Sequence, residues 1–384
     1  MKSFDQIENV LIFVSDSLRW DHLPDQIASK GVVFKTVAQG CKTAISFPTL
    51  ATGLRPQQHG VSSWGHQIPE DVFSIFRSDS LNTGFHNSGR SFSGLCPVVG
   101  ADKEAELSEL DPPFLCLERD NNPHLPHAGF ESQEEYFRDR GNDLVLMRED
   151  YENVVEQSRQ LFEHRLKELE ERDLLDETLV IFTSDHGELL GEYGELDHGA
   201  PLCPELAYVP TVFVHPELTA DDFYVDPNTE IIEHVDIIST ALSAISHDIR
   251  GMAGTDILSE ERSISFGYCY SEERDRDISL YEANGIWWYD GGYVFTANSR
   301  TERLVYTVAH AYKSNRRRYL RRNLWSALRN YVPEDQVYGD PPVEKLRARE
   351  LLTEMLERIP EHETSTVSLN DDARKTLKDL GYLQ

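Results

Sequence analysis

The chain has 384 residues, 39 % of them apolar and 27 % charged, which is enough apolar material for a sizeable core in one large domain or two smaller ones. That composition excludes whole-chain disorder, a collagen repeat and a disulfide miniprotein. The 67 acidic residues against 37 basic ones leave a net charge of −30. Such a surface repels a nucleic acid duplex. It suits strong salt, where repulsion is screened within about 3 Å at 1 M, and the preference for Arg (27) over Lys (10) points the same way.

Asn9–Ser15 reads as a buried parallel strand, apolar without alternation, running into Asp16-Ser17-Leu18-Arg19. Its run Val10–Val14 is too short for a signal-peptide core and follows acids, and no stretch reaches the ~20 apolar residues of a membrane span, so a cytoplasmic protein is expected. Gly31–Phe34 is a second short strand. Thr43–Val61 opens as a polar turn and becomes a helix that stops at Gly53. Residues 62–112 are rich in Ser and Gly and read as loops with short elements. Pro113–Leu117 is a third strand, followed by a polar run that contains Asp120, His124 and His127.

Tyr151–Leu175 has apolar residues at helical spacing and is an amphipathic helix. Thr178–Phe182 is a fourth strand, ending at Thr183-Ser184-Asp185-His186-Gly187-Glu188, and Tyr208–His215 is a fifth. Strands alternating with helices predict an α/β fold, a mostly parallel central sheet flanked by helices. From about Ser263 the texture changes. Frequent Tyr and Trp, with Trp287 and Trp288 read as packing, predict a small antiparallel sheet; residues 312–331 read as an Arg-rich amphipathic helix, and the tail from Pro341 holds another. The expected organisation is a larger unit over 1–262 and a C-terminal α+β subdomain over 263–384. Five scattered cysteines (Cys41, Cys96, Cys116, Cys203, Cys269) form no Cys-x-x-Cys pair, so neither a zinc set nor a disulfide framework is expected, and a reducing compartment fits.

In open α/β sheets ligands gather at the carboxyl ends of the strands. Asp16, Asp185 with His186, and Asp120 with His124 and His127 stand there. Carboxylates and imidazoles form a ligand set for Ca²⁺, Mn²⁺, Zn²⁺ or Mg²⁺. A lone Asp after a strand is commonly a helix cap, but adjacent Asp185 and His186 at a strand end are costly unless they bind something.

Three ordered motifs carry a resemblance. TLVIFTSDHGELLGEYGELDHG resembles the second signature of the sulfatase family within the alkaline phosphatase superfamily, NVLIFVSDSLRWDHL its opening strand, and TAISFPTLATGLRPQQHGV its nucleophile helix. The tail DLGYLQ is similar to that of prokaryotic sulfatase-like chains. The resemblance covers residues 8–250 well. It implies an alkaline phosphatase/sulfatase-like fold, a divalent metal ion as cofactor held by Asp16, Asp185 and His186, and Thr43 at the nucleophile position, nine residues before Thr52-Gly53. It further implies a substrate- or metal-binding role for His124 and contact of His198 with the oxygens of the transferred group. His234 is a weaker candidate ligand, for which a helix-cap role is favoured.

Two departures shape the expectation. Ser17 stands where the family has the second Asp of a pair, and no Cys-x-Pro-x-Arg is present, Cys41 falling two residues early. A Thr nucleophile resembles instead the nucleotide pyrophosphatase/phosphodiesterase branch and the phosphoglycerol transferases of the superfamily. The resemblance thus implies a metal-dependent hydrolase of sulfate or phosphate esters, small-molecule or polymeric, with Thr43, His124 and His198 as its catalytic residues and phosphate esters favoured. A phosphodiesterase or a phosphoglycerol- or phosphoethanolamine-type transferase is the alternative. Retention of Thr43 with Asp16, Asp185 and His186 speaks against a non-catalytic binding protein. Ser46 is the competing nucleophile, and Lys42 or Arg19 could add positive charge. Arg316–Arg318 with Arg321 and Arg322 form a basic patch that could meet an anionic lipid or polymer, or simply pair with the protein's own acids.

Overall fold

Seven strands make the central sheet: β1 (Asn9–Ser15), β2 (Val32–Val37), β3 (Thr83–Ser88), β4 (Leu115–Asp120), β5 (Thr178–Thr183), β6 (Tyr208–Val214) and β7 (Ile231–Glu233), in the order β7-β2-β6-β5-β1-β4-β3. This computed structural model describes residues 7–88, 94–141, 143–275, 278–312, 318–369 and 371–379. Six strands run the same way, and β6 is antiparallel to both its neighbours, β2 and β5.

The apolar run of β1 is explained by cover on both faces. Val10, Ile12 and Val14 pack with Phe47 and Leu50 of α1 (Thr43–Thr52) and Ile237 and Leu242 of α3 (His234–Ala244). Leu11 and Phe13 pack on the opposite side with Tyr151, Val155 and Phe162 of α2 (Leu144–Glu171). Successive strand residues face opposite ways, so a strand covered twice shows no polar alternation. Helix α1 is buried along its whole length and ends at Gly53, whose φ of 68° is the left-handed conformation that favours glycine.

The second sheet is antiparallel: β8 (Gly267–Asp275), β9 (Ile278–Trp288), β10 (Gly291–Thr296) and β11 (Asp335–Gly339), in that order. Between β10 and β11 lie α4 (Arg300–Tyr312), α5 (Arg318–Arg322) and α6 (Leu324–Tyr331), and α7 (Lys345–Leu356) follows. Buried Glu233 ties the two sheets together: it accepts from Arg55 (2.7 Å), Arg262 (2.7 Å), Gln39 (2.8 Å) and the Tyr268 backbone N–H (3.0 Å). The tail also returns to the first part of the chain, where Ser365–Thr366 pairs with His66–Gln67.

The expected fold class stands, with four differences. Residues 62–112 contain β3, an edge strand whose sequence TGFHNS lacks an apolar run because only one neighbour pairs with it. The short strand β7 had no signal of its own. Strand β6 is reversed, which an apolar run cannot reveal. The predicted helix over 312–331 is instead a set of helices beginning at Arg300; residues 313–317 and the DLGYLQ tail beyond Asp379 lie outside the described residues. Among the described residues no helix is long and apolar enough to cross a membrane.

A chain of net charge −30 repels itself in dilute buffer. Its melting temperature is expected to rise steeply from dilute buffer to molar KCl, as circular dichroism will show. A flat profile contradicts the reading of the acidic surface as an adaptation to salt.

Candidate active site

Asp16, Asp185 and His186 follow the carboxyl ends of adjacent strands β1 and β5, and Thr43 opens helix α1 just beyond β2. All four are fully buried. One donor atom each from Asp16, Asp185 and His186 lies within 4.8 Å of the others. Thr43 Oγ1 is 3.3 Å from Asp16 Oδ2 and 3.4 Å from His186 Nε2. The expected ligands and the expected nucleophile therefore meet. Competing Ser46 turns away, its hydroxyl donating to the Gly40 carbonyl at 3.0 Å.

The arrangement fits a cation. His186 Nδ1 lies 2.8 Å from the Gly187 carbonyl, which requires a proton on Nδ1. Burial keeps this ring neutral, so Nε2 carries a lone pair, 3.8 Å from Asp16 Oδ1 and 3.5 Å from Asp185 Oδ2. Asp185 Oδ2 is buried without a hydrogen bond. Burial and the neighbouring Asp16 push Asp185 up to about 8. Asp185 Oδ1 is held by the backbone N–H groups of Ser17 (3.1 Å) and His186 (3.0 Å). Gly187 must be glycine, since a Cβ there would lie 1.8 Å from the Glu205 carbonyl oxygen.

Arg119, which sequence reasoning missed, is 1 % exposed. Its Nε donates to Asp16 Oδ2 at 2.7 Å and its Nη1 to Asn87 at 3.1 Å, and Nη2 also meets Asp16. Burial alone would raise Asp16; the Arg119 guanidinium overrides it and holds the carboxyl well below its usual range. A charge at a strand end reads in sequence as solvent-exposed. The available signal was its place, last but one in β4, on the edge of the sheet where ligands gather.

The histidines separate into roles. The His198 ring packs against His186 (centroids 4.4 Å apart) and His124 (5.0 Å). Its Nδ1 is 3.3 Å from Glu188 Oε2 and 3.2 Å from Asp197 Oδ1. Burial opposes the imidazolium, yet these two carboxylates raise His198 to about 9. Glu188 and Asp197 were not foreseen as its partners. His124 is oriented by the Leu125 carbonyl, 2.5 Å from Nδ1, and burial pulls it down to about 3. It also lines a cavity of about 400 Å³ with Asn121, Asn122 and His127.

Several candidates fall outside the ligand group. Asp120 alternates to the opposite face from Arg119, toward Ser158 of α2, and caps Asn122 (3.0 Å to its N–H). His127 Nε2 donates to the Pro123 carbonyl at 2.8 Å. His234, at the start of α3, donates Nε2–H to the Ser184 carbonyl at 2.8 Å and so steadies the residue before Asp185. Lys42 is spent on Glu273 (2.7 Å) and the Glu272 carbonyl (2.8 Å), and Arg19 on Asp21 (2.7 Å) and Glu192 (2.9 Å).

The chain is 32 % identical, over 98 % of its own length and 96 % of the relative's, to the low-salt glycan biosynthesis sulfotransferase Agl7 of Haloferax volcanii. The chain belongs to the sulfatase family. The family profile, described as Sulfatase, matches residues 104–247. Similar solved structures include the phosphonate monoester hydrolase of Agrobacterium radiobacter (TM-score 0.59, 15 % identity, 87 % of this chain and 100 % of that one). A 2-O GAG sulfatase matches with TM-score 0.57 and 15 % identity over 93 % and 98 % of the two chains. The saline environment read from the charge agrees with the haloarchaeal origin of the relative. Ser17, beside Asp16, donates its hydroxyl to Asp16 Oδ1 at 2.8 Å.

Proposed function

We propose that this sulfatase-family protein takes a sulfuryl or phosphoryl group from an ester onto Thr43 and passes it on to a second hydroxyl, with Asp16, Asp185 and His186 holding a divalent cation. The observation that carries the reading is the Thr43 hydroxyl 3.3–3.4 Å from Asp16 and His186, inside a buried group of two carboxylates and a neutral imidazole of which Arg119 pairs with Asp16 alone. An imidazole beside two carboxylates favours Zn²⁺ or Mn²⁺ over the all-oxygen shells of Ca²⁺ and Mg²⁺. When bound, the cation supplies a Lewis acid that makes a facing hydroxyl easier to ionise.

The chain's own residues supply the rest. The Thr43 proton passes to Asp16 Oδ2, within reach at 3.3 Å, since the His186 Nε2 lone pair is committed to the cation. Thr43 Oγ then bonds to sulfur or phosphorus while the ester's bridging bond breaks. His198, held cationic by Glu188 and Asp197, donates a proton to the departing oxygen or neutralises the oxygens of the transferred group. The positive end of helix α1 favours the anion at Thr43. Attack by water or by an alcohol on the Thr43 ester restores the hydroxyl and releases the product.

One observation favours an alcohol as acceptor. The relative that matches nearly end to end is called a sulfotransferase of glycan biosynthesis. A sugar hydroxyl is therefore the acceptor we assign, with the cavity beside His124 as its entry. The test is a donor screen of p-nitrophenyl sulfate, phosphate, phosphodiester and phosphonate, with and without a panel of oligosaccharides, reading both released p-nitrophenol and modified sugar. Sugar-dependent release with a sulfated or phosphorylated sugar supports transfer. Release that ignores the sugar assigns a hydrolase, and no release from any donor overturns the reading.

A further inference from the structure

Helix α4 is apolar on both sides. Its inner side packs Tyr306 against Tyr281 and Tyr331 and buries Thr307, His310 and Ala311. Its outer side presents Leu304, Val305, Val308 and Tyr312, spaced to fall along one solvent-facing stripe. Tyr312 is 67 % exposed and Val305 61 %, and on the neighbouring α6 Trp325 is 82 % exposed. Single exposed apolar residues need no explanation, but five gathered on one helical hairpin mark an interaction face.

The charge of the same hairpin is inverted. Its described residues, 300–312 and 318–331, carry six Arg and a single acid, Glu302, in a chain of net charge −30. The Arg321 guanidinium lies 5.8 Å from the Tyr312 ring, which sets a cation beside the apolar stripe. Arg329 is four residues from Trp325 and shares its side of α6. Arg318, Arg322 and Arg329 make no ion pair with any described residue, although acids abound elsewhere on the molecule.

We infer that this hairpin docks on an anionic lipid bilayer. Apolar and aromatic side chains interleaved with long cationic ones are the chemistry of the headgroup boundary: Trp and aliphatic groups enter the acyl edge while guanidinium groups pair with lipid phosphates. The net charge of −30 opposes such a surface, so binding through the hairpin favours one orientation. A second copy of the chain is a poorer occupant, because its matching face would set cation against cation. The inference does not depend on the chemistry at Thr43.

The test is flotation of the full chain with phosphatidylglycerol or phosphatidylcholine vesicles, at the lowest KCl concentration at which circular dichroism still shows it folded. Partitioning into phosphatidylglycerol vesicles is expected to exceed that into phosphatidylcholine by about tenfold or more, and Arg318→Glu with Arg322→Glu to remove most of that difference. Quenching of tryptophan emission by brominated phosphatidylglycerol is expected in the native chain and lost in Trp325→Phe, which keeps the fold. Equal partitioning into both lipids, or no change in the Arg variants, overturns the inference. So does a dimer in solution that Trp325→Ser dissociates, which would assign the face to a second copy.

Discussion

Replacing Thr43 by Ala is expected to lower kcat by about 10⁴–10⁶, the range seen when a covalent enzyme loses its nucleophile. The side chain is fully buried and its hydroxyl is the hydrogen-bond donor aimed into the Asp16–His186 pair. The loss should therefore fall on turnover, with little change in melting temperature. Thr43→Ser keeps the hydroxyl and removes one methyl, so it retains measurable turnover. Ser46→Ala removes a bond to the Gly40 carbonyl and costs about 1 kcal/mol of stability while leaving turnover near normal. Steady-state kinetics of the three variants decide the matter: an active Thr43→Ala beside a dead Ser46→Ala would place the nucleophile one helical turn later.

The second large effect concerns the cation. Asp185→Asn keeps the shape of the side chain and its bonds from the Ser17 and His186 N–H groups, but removes the charge that faces Asp16 and His186. Divalent-ion affinity should fall by more than about 100-fold, the upper range for groups that merely support a ligand. Metal content by elemental analysis should drop from one ion per chain to near none, and activity should vanish with it. Because an ion that binds only the folded chain stabilises it, chelation should lower the melting temperature of the native protein and leave Asp185→Asn unchanged. Full activity in exhaustively chelated native protein contradicts this part of the account.

Much of the site was legible because strand ends announce themselves. VLIFV and TLVIF are apolar runs that stop abruptly at Asp16 and at Asp185-His186, and the family motifs bound these to Thr43 although the residues are far apart in sequence. The stop of α1 at Gly53 was legible from the glycine itself, whereas its start at Thr43 and its burial along the whole length were not. What was not legible depends on neighbours. The edge strand β3 has a polar sequence that only its pairing with β4 makes a strand. The reversal of β6 leaves no trace in Tyr208–Val214, because a strand covered on both faces is apolar in either direction. Arg119 looks like any surface charge until β4 carries it to Asp16. Glu188 and Asp197 become partners only when the short pairing of Leu189–Leu190 with Leu196–Asp197 folds them back onto His198.

The proposed chemistry rests on a covalent ester at Thr43, and rapid-quench peptide mapping of metal-loaded protein with a sulfate or phosphate ester donor reads it out. The expected result is one sulfuryl or phosphoryl group on the peptide carrying Thr43, formed within the first turnover, discharged by acceptor and absent from Thr43→Ala. Turnover with no adduct, or with the adduct on Ser46, would contradict it.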